Sequence, residues 1–172
     1  MHPSFLGEPE PRVVPAGEYP LWDEALAVVN RDLAATLPEQ GPLCLRALPG
    51  WGEGEDEGEQ IYVALPDGDW HGNSLGPQSS ARGALGALGA VAEAAQDTVM
   101  EVLWQAWPVC TLHGLGVHVA EDAGRGVWRC AGSSRPNDPA HVLAAIGELD
   151  TVHRPRRPDR KRRRSREERR AH

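Results

Sequence analysis

The 172-residue sequence predicts an α+β domain, with a small antiparallel sheet packed against two or three helices. Two stretches with helical apolar spacing, 20–37 and about 89–106, carry most of that expectation. Short β-rich runs flank the second stretch and are joined by Gly-, Pro- and Asp-containing turns. The resulting order is helix, strands, helix, strands, helix. The length suits one core and is too short for two ordinary domains.

Residues 1–19 hold four prolines and are expected to be extended. The first helix is expected to start at Pro20, since proline is welcome in a first helical turn. Trp22, Leu26, Val29, Leu33 and Leu37 form its apolar stripe, and Pro38 ends it. Leu43–Leu48 and Gln60–Leu65 read as two antiparallel strands, with an acidic Gly-rich loop at 50–59 between them. Trp70–Leu75 is a weaker third strand after the Pro66-Asp67-Gly68 turn. Each glycine inside a helix costs ~1 kcal/mol relative to alanine, so the second helix is expected to begin only at Gly89, after GALGALG. Pro108 stops it. Strands at 109–119 and 126–131 follow, joined by a turn at 121–126. A last helix is expected over 140–149, with Asp138 as N-cap and Pro139 in its first turn. The domain thus spans 20–150, followed by a disordered Arg-rich tail at 151–172.

Charge divides the chain. Residues 1–153 carry 22 acidic and 7 basic side chains, a balance of −15, whereas 154–172 carry 3 acidic and 11 basic, a balance of +8. No apolar run reaches the length of a membrane span, and the first residues lack the features of a secretory signal, so a cytoplasmic location is expected. Three cysteines, an odd number, do not form a secreted disulfide framework.

The chemistry concentrates at residues 104–130. Cys110, His113, His118 and Cys130 are spaced C-x2-H-x4-H-x11-C, with His141 as an alternative ligand. Thiolate and imidazole are the donors zinc prefers, and a two-residue gap lets one tight turn present Cys110 and His113 to one ion. The competing reading makes Cys110 and Cys130 small buried hydrophobes and the histidines surface residues. The stretch also resembles a group of small, uncharacterised actinobacterial proteins marked by W-P-x-C-x-x-H-G and a later W-x-C. Here these residues are Trp107, Pro108, Cys110, His113, Gly114, Trp128 and Cys130, and Thr111 stands where proline is common. The resemblance covers about residues 90–150 and implies a coherent domain with no established activity.

Other motifs carry less. The acidic loop lacks the ligand alternation of an EF-hand, GALGALG lacks the G-K-[ST] of a phosphate loop, and Ser133 and Ser134 lack a nucleophile elbow. The leading expectation is a non-enzymatic, zinc-stabilised interaction protein whose acidic body meets a partner with a basic surface. One alternative is a metal-dependent hydrolase using His113, His118 and a cysteine, with Glu121 as base. Another is a nucleic-acid-associated protein acting through polyanion contacts from Arg156, Arg157, Arg160, Lys161, Arg162, Arg163 and Arg164.

Overall fold

A computed structural model describes residues 10–50 and 58–153. Most of the acidic loop, Trp51 and the Arg-rich tail lie outside those residues. The first element is a short strand, β1 (Arg12–Val13), ahead of α1 (Pro20–Thr36), so ordered structure begins before Pro20. Next come β2 (Cys44–Leu48), β3 (Gln60–Ala64), α2 (Gly83–Leu103), β4 (His118–Asp122), β5 (Arg125–Cys130) and β6 (His141–Ala145). Among the described residues the fold is α+β, with two α-helices and two antiparallel three-stranded sheets in the orders β1-β2-β3 and β4-β5-β6.

In the first sheet, Arg46 opposes Tyr62, and Leu45 opposes Val63. Strict alternation sends Leu45, Ala47, Ile61 and Val63 into the core. The expected third strand at 70–75 is reduced to two isolated bridges, Ala64 to Trp70 and Ile61 to Leu75. The sheet's third place is taken by β1.

α1 buries Trp22, Leu26, Val29 and Leu33 as its spacing requires. α2 lies against α1 and touches both sheets, through β3, β4 and β5. It begins six residues earlier than the glycine count predicts. Small side chains there permit close approach: a Cβ on Gly86 would lie 2.8 Å from the Ser79 carbonyl oxygen, and one on Gly126 of β5 would lie 3.2 Å from Leu88. Packing outweighs the propensity cost.

The expected last helix is a strand instead. β6 pairs with β5, with an irregularity between Trp128 and Arg129. Gly147, at φ +92°, ends the run; a Cβ there would sit 2.5 Å from Val28 Cγ1. A five-residue strand fits before that glycine, whereas a three-turn helix does not. The expected 109–119 strand is likewise a loop closed by a single bridge, Val109 to Gly116, leading into β4.

A buried carboxylate ties the two halves together. Asp32 of α1 accepts hydrogen bonds from Trp128 Nε1 (2.7 Å) and from the backbone N–H groups of Gly147 (2.6 Å) and Leu149 (2.8 Å). Trp128 also meets Trp107 edge-on, with ring centroids 5.6 Å apart. Among the described residues, no helix is long and apolar enough to cross a membrane.

Candidate metal centre

The loop after α2 is a compact knuckle. The Cys110 N–H bonds the Leu115 carbonyl (2.8 Å), and the Gly114 N–H bonds the Cys110 carbonyl (2.8 Å). Gln96 of α2 clamps both ends of the loop, its Nε2 donating to the carbonyls of Trp107 (3.1 Å) and Val117 (2.5 Å). The turn carries Cys110 and His113 on one side, as their two-residue gap allows.

The other two donors come from the second sheet. Cys130 ends β5 and His141 begins β6, and the two residues are direct partners in the ladder. Side chains opposite one another share a face and lie within reach of a common ion. His118 pairs with Arg129, one residue from Cys130, so the two-residue period of the strand turns it to the other face. His118 is exposed and stands outside the group. Cys44, the third cysteine, sits on β2, where its Sγ contacts the Leu65 carbonyl at 3.5 Å.

Cys110, His113, Cys130 and His141 bring their ligand atoms within 4.8 Å of one another, forming a Cys/His cluster able to hold a metal ion. Nδ1 of His113 lies 3.4 Å from both sulfurs, and Nε2 of His141 lies 3.5 Å from Cys110 Sγ. A tetrahedron with the usual zinc–sulfur and zinc–nitrogen bond lengths has an S···N edge of about 3.6 Å. The donor set fits.

Each imidazole is oriented from behind. Nε2 of His113 lies 2.7 and 2.9 Å from the Asp138 carboxylate oxygens, and Nδ1 of His141 lies 3.4 Å from the Pro139 carbonyl. Such contacts fix which nitrogen faces an ion. The Gly132 N–H points to Cys130 Sγ at 3.4 Å. Only glycine fits at 132, since a Cβ there would lie 2.5 Å from the Asp138 carbonyl oxygen. Asp138 and Gly132 complete the site, and sequence spacing did not identify either. The one cue was Asp138-Pro139, which reads equally well as a helix cap.

The electrostatics of the site favour binding a cation. Burial pushes the Cys110 thiol up, but the N–H groups of Leu112 and His113 and the rings of His113 and His141 outweigh it, and its pKa falls to about 6. Burial pushes Cys130 up, against the Gly132 N–H. His113 is raised by Cys110 first and, against its own desolvation, by Asp138. Asp138 is lowered by the Ser133 hydroxyl and, against its own desolvation, by His113.

Cys110, His113 and Asp138 also have the order of a nucleophile–base–orienter relay. Cys110, however, has no exposed surface, so a substrate carbonyl cannot reach its sulfur. A relay also needs one thiol and one imidazole, whereas two of each converge here. Glu121, the candidate base of the hydrolase reading, is exposed on β4 and paired with Arg82 at 2.9 Å. Comparison with protein-family models, with curated proteins and with solved structures finds no match.

Proposed function

We propose that the protein is a non-enzymatic interaction protein whose second sheet and knuckle are held together by one structural zinc ion on Cys110, His113, Cys130 and His141. The observation that carries this reading is the convergence of two sulfurs and two imidazole nitrogens within 4.8 Å, with each imidazole oriented from behind. Two thiolates and two imidazoles are a borderline-soft donor set, which suits zinc better than magnesium or calcium. Four protein ligands fill a tetrahedral sphere and leave no position for a reacting water, which argues against the hydrolase alternative. The ligands come from the knuckle, β5 and β6, so the ion would cross-link three segments. The excess of carboxylates in residues 1–153 favours a partner with a basic surface.

Elemental analysis tests the assignment, on protein purified without added metal or a polyhistidine tag. About one zinc per chain is expected, with loss of zinc and a lower melting temperature in Cys110→Ala. Metal-free protein whose melting point is indifferent to chelators would overturn it. The Arg-rich tail supports a separate polyanion contact. Truncation after His153 is expected to abolish salt-dependent nucleic-acid binding, and equal binding by the truncated chain would remove that role.

A further inference from the structure

Four large apolar side chains reach solvent on the end of α2 and on the knuckle that follows it: Trp104 (88% exposed), Leu112 (78%), Leu115 (51%) and Met100 (38%). Met100 and Trp104 lie one turn apart at the end of α2. Leu112 and Leu115 belong to the knuckle that Gln96 fastens to that helix. Gly116 packs against the chain just beyond α2, where a Cβ would lie 3.6 Å from Ala106 Cβ. Leu112 sits between the ligands Cys110 and His113, and the Leu115 carbonyl receives the Cys110 N–H. The residues that shape the candidate centre therefore also present the two leucines.

Trp104 adopts a left-handed conformation (φ 53°, ψ 42°), rare for a bulky residue. Backbone of this kind tends to occur at binding sites. A tryptophan exposed to this extent, amid other exposed apolar groups, is the usual anchor of a protein interface.

The surrounding charge selects the partner. The exposed stripe of α2 carries Glu93, Asp97 and Glu101, and the helix has no cation along its whole length. Among the described residues, none of the three carboxylates forms a salt bridge. The last turn lacks a basic side chain, which leaves the negative end of the helix dipole uncompensated.

We propose that Trp104, Met100, Leu112 and Leu115 form a docking surface for a cationic amphipathic segment of another protein. The segment's apolar face covers the indole and leucines, and its Arg or Lys side chains meet Asp97 and Glu101. A second copy of this chain is a poorer occupant, since it brings the same carboxylates to the contact. The proposal rests on the interaction-protein reading and names the surface and the chemistry of the partner.

Fluorescence anisotropy with the full chain tests it, using a labelled Leu/Arg amphipathic helical peptide and its Leu/Glu counterpart. The Leu/Arg peptide is expected to bind and the Leu/Glu peptide is not. Trp104→Ala is expected to weaken binding by at least about 10-fold, as for an interface hot spot, with zinc content and melting temperature unchanged. Glu101→Lys is expected to weaken it as well and to reduce its salt dependence. The proposal is overturned by no binding of the Leu/Arg peptide, by equal binding by Trp104→Ala, by equal binding of both peptides, or by binding only after truncation at His153. A dimer that Trp104→Ala dissociates would assign the face to a second copy and also overturn it. Zinc content of the same samples separates the two ideas. Trp104-dependent binding by metal-free protein sinks the zinc assignment alone, whereas Trp104-independent binding by zinc-loaded protein sinks the docking surface alone.

Discussion

Nε2 of His113 lies 2.7 Å from a carboxylate oxygen of Asp138, on the edge of the ring away from the two sulfurs. Asp138 thereby decides which nitrogen faces the cluster and raises its basicity. Asp138→Asn should weaken zinc binding by roughly 10–100-fold, with the far-ultraviolet circular dichroism unchanged. Competition with a chromogenic chelator measures this, and an unchanged affinity would remove the orienting role.

Zinc affinity should fall with pH in a defined way. In the free site, Cys130 and His113 titrate above their ordinary values, whereas Cys110 titrates near 6. At neutral pH, Cys130 and part of the His113 population hold protons that must leave when a metal binds, while Cys110 is already largely ionised. Binding at neutral pH should release roughly one to two protons per chain. The affinity should fall further once Cys110 also protonates, below about 6. Calorimetry in buffers of different ionisation enthalpy reads the proton count, and heats that do not depend on the buffer would contradict it.

The two outer histidines should behave oppositely. His141→Ala removes a ligand atom and should cost more than the roughly 10–100-fold expected for an orienting partner. His118→Ala alters an exposed side chain on the other face of β4 and should leave zinc content and affinity at wild-type values. Metal loss in His118→Ala would place the fourth ligand wrongly.

Asp32 is the most exacting buried group. Asp32→Ala would leave the Trp128 indole N–H and the backbone N–H groups of Gly147 and Leu149 without acceptors. At about 1–3 kcal/mol for each orphaned donor, a loss of at least about 3 kcal/mol is expected in urea denaturation. Burial raises the Asp32 pKa above its ordinary 3.8, with the Trp128, Gly147 and Leu149 donors opposing. The folded chain therefore binds this proton more tightly than the unfolded chain does. The resulting stability is fully present below 3.8 and is lost as pH rises through the elevated value. Asp32→Asn should flatten that part of the urea-midpoint profile, and a profile that does not change would refute the assignment.

Local patterns made much of this fold legible. Trp22, Leu26, Val29 and Leu33 marked α1 through helical spacing, and alternation marked β2 and β3. The early start of α2 was hidden because it rests on tertiary packing, of Gly86 against Ser79 and of Leu88 against Gly126 of β5, which propensity does not register. The run Val142-Leu143-Ala144-Ala145-Ile146 fits either a helix or a strand, since short apolar segments carry no decisive period. Gly147 was the overlooked stop signal. Within the site, Cys110, His113 and Cys130 were visible from residue type and spacing. His141 could be preferred to His118 only once its pairing with Cys130 was known, and long-range register is not written in local sequence.

The clasp on Asp32 has a consequence for how the chain is made. Gly147 and Leu149, two of the three groups that close on it, lie 115 and 117 residues downstream. At ordinary translation speeds that distance takes on the order of ten seconds to synthesise. During that interval α1 has left the ribosome without the groups that complete its surroundings. The nascent protein must therefore be tolerated half-built, and a chain cut short before Gly147 cannot close its own interior.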